Sequence, residues 1–514
     1  MNLTTPPRVR FAPSPTGPLH MGGVRTALYN YLFAKKHGGT FILRIEDTDA
    51  TRFVKGAEQY VVEALAWCGL TPDEGVGAPT LGPHAPYRQS ERTSFYAKAA
   101  DQLLKSGWAY RAFDTPEALA EKRQAAEKNG QTFQYDASTR GEMQNDLALT
   151  ETEVQKLLSQ NQPFVIRFRT PDEVQNIQFQ DAIRGDVQVS SHVLDDKVLL
   201  KPDGLPTYHL ANVVDDHEMQ ITHVIRGEEW LPSAPLHVLL YQALDWSPPT
   251  FAHLPLILKP EGSGKLGKRD GIQGGFPVFP LSWRDPKSGD ELKGYRENGY
   301  LPAAFLNMLL LLGWSPGDDQ EMFSLEQAVA QFDLNRVVKS GARFNPEKAR
   351  WFNEQHLRQT PKAALIKQLE SLLKQADLPS HQAEMILDLT LERVTFLNEI
   401  PELSWLFEAP ERFDAKLVRK KWKNETAGYL RAVHDRLAHL PSFTASAIES
   451  DFKAYLESEG LGFGAVLLPL RIVLTGVGGG PSMFEFAAYL GRENTLHRLI
   501  AGIQAIEAMR AENS

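Results

Sequence analysis

The chain contains very little cysteine, with Cys68 as the single example among 514 residues. One thiol cannot form an internal disulfide, and its isolation excludes a cysteine-rich metal site. Cys68 lies at the end of the apolar stretch ALAWCGL, where a cysteine is usually buried. The sequence therefore predicts a packing role for this residue.

Long hydrophobic runs are also missing. No stretch of 18 apolar residues occurs, so the sequence predicts no membrane-spanning helix. The first seven residues, MNLTTPP, have neither the basic patch nor the apolar core of a signal peptide. We therefore expect residence in the cytoplasm and no membrane partner.

Basic residues are fewer than acidic ones, with 55 Lys and Arg against 64 Asp and Glu, and the formal net charge is −9. An acidic total argues against indiscriminate nucleic-acid binding, but it leaves room for one RNA on a local basic stripe. The hydrophobic fraction of 42% and the charged fraction of 23% are typical of a globular protein. The length predicts three or four domains.

The most informative segment present is RFAPSPTGPLHMGG at residues 10–23. It predicts a short strand, a loop rich in proline and glycine, and a helix that begins near residue 24. We expect free backbone N–H groups and the positive end of the helix dipole to face a phosphate, with His20 in reach. The segment lacks the Gly-Lys-Ser/Thr of a P-loop. Taken alone, such a pattern is more often a tight turn that carries a surface histidine.

A basic cluster, GKLGKRDG, follows at residues 264–271. Lys265 and Lys268, three residues apart on a loop, can close over a polyphosphate and neutralise charge as pyrophosphate leaves. Most runs of this composition are solvated loops, so the cluster is informative only in combination with the first segment.

The two segments together resemble the paired signature motifs of class I aminoacyl-tRNA synthetases. Several further segments are similar to bacterial glutamyl-tRNA synthetases, in family order: RFAPSPTG at 10–17, RIEDTD at 44–49, LPTYHLANVVDDH at 205–217 and VIRGEEW at 224–230. Residues 307–316 and 338–340 extend the resemblance, which covers nearly the whole chain.

The resemblance implies an α/β fold: a Rossmann-like parallel-sheet catalytic domain (1–106 and 203–260), an inserted mixed α/β acceptor-end-binding domain (107–202), a stem-contact module (261–345), and an all-helical anticodon-binding region (346–514). The pattern of short apolar runs and amphipathic segments agrees with this division. It predicts parallel strands near residues 9–11, 40–45, 208–214 and 222–226, and mostly helices beyond residue 300.

The activity that the resemblance implies is glutamate–tRNA ligation. ATP activates L-glutamate to glutamyl-adenylate, and the terminal adenosine of tRNA(Glu) then accepts the glutamyl group. Such chemistry needs positioning and charge stabilisation rather than a protein nucleophile. By resemblance, the catalytic residues are His20, Lys265 and Lys268, and the ATP-binding residues are His20, Gly22, Gly23, Glu229, Lys265, Lys268 and Arg269.

The glutamate-binding residues implied by the resemblance are Arg10, Ala12, Ser14, Glu46, Tyr208, Asn212 and Arg226. Arg10 and Arg226 match the positions that read the side-chain carboxylate, because a guanidinium suits a carboxylate and cannot accept from an amide NH₂. Glu46 is the natural counter-charge for the substrate ammonium. Mg²⁺ is expected to arrive with ATP, with no protein-held metal, and a monomer is expected.

The chain departs from its relatives at several positions. Gly267 stands where most relatives have serine or threonine, which predicts a lower rate rather than lost chemistry. Ala112 and Asp114 stand where many relatives carry zinc-binding cysteines, so no zinc is predicted. Residues 273–292 form a longer segment than expected; its role is not evident from the sequence, and a flexible surface insertion is the simplest interpretation.

Basic residues interleaved with tryptophan suggest tRNA contacts. They are Lys348, Arg350 and Trp351, and the run RKKWK at 419–423, in which tryptophan could stack on an unpaired base. A solvated helix face explains the run equally well.

Two alternatives stay open. The enzyme could be non-discriminating and also charge tRNA(Gln), since its active site would look the same. It could instead be a non-catalytic tRNA-binding paralogue, whose signature would be loss of His20, Lys268 or Arg226; all three are present.

Replacing Arg226 with alanine is expected to abolish use of glutamate while ATP binding remains, because only the side-chain carboxylate loses its partner. Charging assays and ATP-binding titrations on the Arg226→Ala variant measure the two effects separately. Retained charging would contradict the assignment of Arg226.

Overall fold

The computed structural model describes residues 5–286 and 288–512. Its strands are β1 (Arg8–Phe11), β2 (Thr40–Leu43), β3 (Glu74–Gly75), β4 (Ala109–Ala112), β5 (Val165–Phe168), β6 (Asn176–Asp181), β7 (Gly185–Ser190), β8 (Val198–Leu200), β9 (His223–Gly227), β10 (Thr250–Leu254), β11 (Ile257–Leu258), β12 (Trp283–Arg284), β13 (Glu291–Leu292) and β14 (Ala342–Arg343).

The helices of the first two thirds are α1 (Met21–Lys36), α2 (Ala57–Trp67), α3 (Thr93–Lys105), α4 (Pro116–Lys128), α5 (Glu151–Ser159), α6 (Tyr208–Glu218), α7 (Ala234–Ala243), α8 (Lys268–Gly274), α9 (Pro302–Leu311) and α10 (Leu325–Gln331). The remainder are α11 (Pro346–Gln359), α12 (Lys362–Gln375), α13 (Ala383–Thr390), α14 (Ala415–Lys421), α15 (Thr426–Ala438), α16 (Ala445–Ser458), α17 (Phe463–Thr475) and α18 (Met483–Glu512), which is broken at Gly491.

Two mainly parallel sheets form the core of the first part of the chain. The first has the order β1-β2-β3, and the second has the order β7-β6-β10-β9, in which only β7 is antiparallel to its neighbour. They meet where the Arg8 N–H donates to the Thr222 hydroxyl at 2.9 Å and the Thr222 N–H donates to the Arg8 carbonyl at 2.9 Å. The carboxyl ends of β1 and β9 thus lie side by side, which confirms the predicted α/β fold with a parallel sheet.

The prediction of a strand at residues 208–214 is wrong, because this segment is the first part of helix α6. Leu210, Val213 and Val214 recur at the three-four spacing of a helix and are all buried. Residues 210–216 of α6 are all buried, so this stretch lacks the exposed polar face of an amphipathic helix. The apolar residues of this segment therefore resembled a buried strand.

Helix α6 follows a small antiparallel sheet, β4-β5-β8, which lies within residues 107–202. Beside β4, Asp114 accepts hydrogen bonds from the Gln144 N–H at 3.0 Å and from the Tyr135 hydroxyl at 2.8 Å. These bonds hold together the loop that follows β4. Strands β6 and β7 also come from residues 107–202, yet they share a sheet with β9 and β10.

The chain divides into two compact units, of which the second comprises Asn298–Leu301 and the described residues from Arg350 onward. Within this unit the described residues form helices and no strand, so the predicted helical C-terminal region is confirmed. Its core is built from leucine, isoleucine and valine on successive helices: Leu365, Leu369 and Leu373 on α12, Leu430 and Val433 on α15, Val466 and Ile472 on α17, and Leu499 and Ile503 on α18. No helix in the described part of the chain is long and apolar enough to cross a membrane.

Trp422 belongs to this core and is only 4% exposed. Its predicted role as a stacking platform for an RNA base is therefore wrong. Arg419, Lys420 and Lys421, the cations beside it, are exposed on the last turn of α14. The apolar ring anchors that turn, and the basic side chains remain on the surface.

One carboxylate ties α6 to helix α3 and the loop before it. Asp215 accepts hydrogen bonds from Arg92 Nε at 2.7 Å, from the Tyr96 hydroxyl at 2.8 Å and from Gln89 Nε2 at 2.8 Å. All four side chains are buried. Removal of the carboxylate would leave a buried guanidinium uncompensated, which is costlier than the loss of a surface ion pair.

The Asp215→Ala variant is expected to lower the free energy of unfolding by about 3–5 kcal/mol, the usual cost of breaking a buried ion pair. Urea denaturation measures the change, with the exposed Asp319→Ala as the matched control. Equal effects of the two substitutions would contradict a structural role for the buried cluster.

Candidate active site

A cavity of about 590 Å³ opens at the carboxyl ends of β1 and β9. Its walls come from β1 and the loop after it, the N-terminus of α1, the first turns of α6, the end of β9 and the loop before α8. The structure brings to this cavity every predicted site residue except Arg269: Arg10, Ala12, Ser14, His20, Gly22, Gly23, Glu46, Tyr208, Asn212, Arg226, Glu229, Lys265 and Lys268. Arg269 is exposed on α8 and does not line the cavity.

The N-terminus of α1 differs from the prediction of free backbone donors. The Gly22 N–H donates to His20 Nδ1 at 3.1 Å, and the Gly23 N–H donates to the His20 carbonyl at 2.8 Å. The Met21 N–H donates to the carbonyl of Val278 at 2.8 Å. The first backbone donors of the helix are thus occupied within the protein, and only the helix dipole still acts directly on a ligand.

His20 supplies the donor that the backbone does not. Its Nδ1 accepts from Gly22, so in the neutral ring Nε2 carries the proton, and buried Nε2 has no hydrogen-bond partner among the described residues. Burial, with a smaller contribution from Lys265, lowers the pKa of His20 to about 4. The imidazole is therefore a neutral N–H donor at physiological pH, suited to a phosphate oxygen.

Residues 276–283 form a wall of the cavity, so the interpretation of residues 273–292 as a flexible surface insertion is wrong for this part. Phe279 is buried and meets the His20 ring edge-on, with ring centroids 6.0 Å apart. The Tyr60 hydroxyl donates to the Leu281 carbonyl at 2.5 Å. The sequence signal was the apolar run FPVFPLSW, which is unusual for a solvated loop.

One part of the cavity wall centres on Arg226. Its Nη1 donates to the Tyr208 hydroxyl at 2.9 Å, and its Nη2 donates to the Trp230 carbonyl at 3.4 Å. The Trp230 and Tyr208 rings are 4.3 Å apart. Because the Tyr208 oxygen accepts from Arg226, its own O–H can point into the cavity, and burial raises the pKa of Tyr208 to about 12, which keeps that proton in place.

Arg10 lies beside this group but is strongly engaged with Asp216. Its Nε and Nη2 donate to the two Asp216 oxygens at 2.9 and 3.2 Å. Arg44 Nη1 donates to the same carboxylate at 2.8 Å, and Arg44 Nη2 donates to Glu46 at 3.2 Å. Burial alone would raise the pKa of Asp216, but the two arginines lower it below its usual value. Asp216 is a functional residue that motif matching did not single out.

Glu46 and Asn212 complete the wall opposite Arg226. The Asn212 amide fits between its neighbours with its oxygen accepting from Arg10 Nη2 at 3.3 Å and its nitrogen donating to Asp216 at 3.2 Å. Burial raises the pKa of Glu46, while Arg44 and Arg10 oppose that shift. Arg44 and Arg10 thus favour the charged form of this carboxylate, and the carboxylate is the group in this wall that can attract an ammonium ion.

One hydrogen bond joins the basic loop to the cavity wall, and another holds the loop to the start of α8. Lys265 Nζ donates to Glu229 Oε1 at 2.7 Å, and the Asp270 carboxylate caps α8 by accepting from the Gly267 N–H at 2.8 Å. Gly267 has φ −132° and ψ 175°, an extended backbone that any residue adopts. A Cβ there would meet Asp270 Oδ2 at 3.6 Å, so a serine would fit. The effect of this glycine on rate stays a prediction.

Metal-binding clusters are not evident in the described ranges, 5–286 and 288–512, where no group of three or more His, Cys, Asp or Glu side chains could hold an ion. The cavity instead presents cationic and neutral donors together with the Glu46 carboxylate. Such an arrangement suits a small zwitterion with an extra negative charge, next to a phosphate-bearing ligand.

The imidazole of His20 is expected to titrate near pH 4 and to stay neutral between pH 8 and pH 5. The unfolded chain binds a proton on this ring near pH 6.5, so folding loses stability as the pH falls from that value toward 4. NMR of histidine-labelled protein, with His20→Asn to assign the signal, measures the pKa. Titration near 6.5 would contradict a buried neutral ring.

Two family models match the chain. Residues 7–351 match the catalytic domain of class I tRNA synthetases for glutamate and glutamine (E and Q), and residues 348–503 match an anticodon-binding domain. Among similar proteins, the glutamate–tRNA ligase of Porphyromonas gingivalis is 51% identical over 505 residues, which cover 97% of this chain and 98% of the relative. The glutamate–tRNA ligase of Christiangramia forsetii is 48% identical over 503 residues, with 97% and 99% covered.

A solved structure also matches at full length. The crystal structure of a glutamate tRNA ligase from Elizabethkingia meningosepticum, in complex with its amino acid, superposes with a TM-score of 0.93. It is 50% identical to this chain and covers 97% of this chain and 99% of its own. The glutamate–tRNA synthetase of Elizabethkingia anophelis gives a TM-score of 0.92 at 49% identity, with 97% and 100% covered.

Proposed function

The chain belongs to the glutamate–tRNA ligase family of class I tRNA synthetases, and we propose that the cavity described above is where it forms glutamyl-adenylate. Its activity is ATP-dependent activation of L-glutamate and transfer of the glutamyl group to tRNA(Glu). The predictions of family, fold class and function made from the motifs are confirmed by relatives about half identical over nearly the whole chain.

The observation that supports the site assignment most is a pair of donors that line the cavity, Arg226 and Tyr208. Arg226 and Tyr208 are already joined by a hydrogen bond, and both face the cavity. A glutamate side-chain carboxylate placed there accepts from the guanidinium and from the tyrosine O–H. A glutamine amide would direct its NH₂ at one of these donors and leave it unpaired, which a buried site penalises strongly.

The ammonium and α-carboxylate groups of glutamate are proposed to bind to cavity residues of suitable charge. The ammonium group lies near Glu46, whose carboxylate supplies the opposite charge, with the Ser14 hydroxyl, the Ala12 backbone and Asn212 completing the contacts. Arg10, which is bonded to Asp216 and lines the cavity, is proposed to read the side-chain carboxylate together with Arg226. This arrangement leaves the α-carboxylate directed toward His20 and the ATP phosphates.

ATP is proposed to bind across the N-terminus of α1. The His20 Nε2–H donates to phosphate, while Gly22 and Gly23 let the nucleotide approach the helix closely. Lys265 and Lys268 close from the basic loop, which requires Lys265 to leave Glu229. Arg269 acts from outside the cavity wall, and Glu229 contributes to nucleotide binding. Mg²⁺ is proposed to arrive with the ATP phosphates.

The domain roles are proposed as the sequence suggested: catalysis by residues 1–106 and 203–260, acceptor-end binding by 107–202, stem contact by 261–345 and anticodon binding by 346–514. The two matched family models overlap at residues 348–351, which supports a boundary near residue 346. We also propose action as a monomer in the cytoplasm.

Charging of purified tRNA(Glu) and tRNA(Gln) with labelled glutamate tests the function. Label on tRNA(Glu) alone is expected for a discriminating enzyme, and label on both would support the non-discriminating alternative. The Lys268→Ala variant serves as control and should lose charging rate, because less positive charge meets the leaving pyrophosphate. Failure of the unaltered protein to charge either tRNA would contradict the proposal and favour the non-catalytic alternative.

A further inference from the structure

Two buried residues hold Arg226 from the side that does not face the cavity. Arg226 Nε donates to His253 Nε2 at 3.0 Å, and the other ring nitrogen, His253 Nδ1, lies 2.6 Å from Asp181 Oδ2. The side chains of His253 and Asp181 are fully buried. Neither residue lines the cavity, and neither belongs to a motif that sequence analysis singled out.

The donors and acceptors in the hydrogen bonds that link Arg226, His253 and Asp181 can be assigned in only one way. Arg226 Nε–H can only donate, so His253 Nε2 must offer its lone pair. The imidazole proton then resides on Nδ1 and is donated to the Asp181 carboxylate. Asp181 is itself fixed, because its Oδ1 accepts from the backbone N–H groups of Ile183 at 2.9 Å and Arg184 at 2.8 Å.

The three side chains lie on adjacent strands of one sheet. His253 on β10 pairs in register with Arg226 on β9, and Phe251 on β10 pairs with Asp181 on β6. Residues 251 and 253 are two positions apart and therefore project from the same face of the sheet. The strand register thus places Asp181, His253 and Arg226 next to one another, and the pairing of the strands restricts movement of their backbones.

We propose that His253 and Asp181 are positioning residues that set the guanidinium plane of Arg226 for the side-chain carboxylate of glutamate. The bond at Nε fixes the plane, while Nη1 and Nη2 bond to Tyr208 and Trp230, which line the cavity. This inference rests on the proposed role of Arg226 as the carboxylate reader. A guanidinium already held in place loses less conformational freedom when the ligand binds, and it cannot turn to accommodate an amide.

Paired variants separate the two hydrogen bonds of His253. The His253→Asn side chain can keep a donor toward Asp181 but is too short to accept from Arg226, whereas His253→Gln can place its oxygen near the former Nε2. Asp181→Asn keeps the shape but offers an N–H to His253 Nδ1, which forces the other tautomer and sets an N–H against Arg226. The matched control is His223→Asn, a buried histidine that contacts Thr222 and Phe33 instead.

Charging of tRNA(Glu) at varied glutamate and varied ATP measures the effect. We expect His253→Asn and Asp181→Asn to raise KM for glutamate about 10- to 100-fold, as for loss of a hydrogen bond to a charged group, with KM for ATP unchanged. His253→Gln should restore most of the affinity, and His223→Asn should leave both constants unchanged.

Parallel changes in both KM values, or no difference between the His253→Asn and His223→Asn variants, would overturn the positioning role. The Arg226→Ala variant separates the positioning role of His253 and Asp181 from the proposed role of Arg226 as carboxylate reader. If Arg226→Ala loses glutamate but His253→Asn does not, only the positioning role fails. If Arg226→Ala keeps its KM for glutamate, the assignment of Arg226 as carboxylate reader fails as well.

Discussion

The active site depends on the pairing of buried arginines with two adjacent carboxylates of helix α6. Asp216 holds Arg10 and Arg44, and Asp215 holds Arg92. A buried charge is costly unless it is paired and hydrogen-bonded, so these aspartates allow the three guanidinium groups to be buried, with Arg10 at the cavity wall. These pairs join α6 to strand β1, to the residue after β2 and to the residue before α3.

The cavity combines fixed charges with neutral donors. Arg10, Arg226 and Glu46 supply charge, while His20 and Tyr208 supply N–H and O–H groups whose protons stay in place across the physiological pH range. Charged groups discriminate a carboxylate from an amide, and neutral donors stabilise phosphate or carboxylate oxygens without demanding a counter-ion of their own. Catalysis by such a site is positioning and electrostatic stabilisation, with no protein nucleophile needed.

Much of this arrangement could be predicted from the sequence, because long motifs fix which residues follow which strand. The carboxyl ends of parallel strands converge, so residues at the ends of β1 and β9 had to meet. The motifs could not reveal how each donor is used. The N–H groups of α1 are occupied by His20 and Val278, and only three-dimensional packing shows that. The run LANVV was mistaken for a strand because a buried helix and a buried strand have similar composition.

Other features could not be predicted from the sequence because the residues that contact one another are distant along the chain. Residues 276–283 pack against His20 and Tyr60, more than 200 positions away, so composition alone suggested a solvated loop. His253 and Asp181 are joined by strand pairing between β10 and β6, which no local pattern encodes. Trp422 looked like an RNA contact because its neighbours are basic, yet its ring is part of a core assembled from other helices.

The central claim is that Arg226 and Tyr208 receive the side-chain carboxylate of glutamate while Glu46 receives its ammonium group. A crystal structure of this chain with L-glutamate bound tests that orientation directly. The account predicts the side-chain carboxylate about 3 Å from the Arg226 guanidinium and the Tyr208 hydroxyl, within hydrogen-bond distance. An α-carboxylate at Arg226, or an ammonium group remote from Glu46, would contradict it.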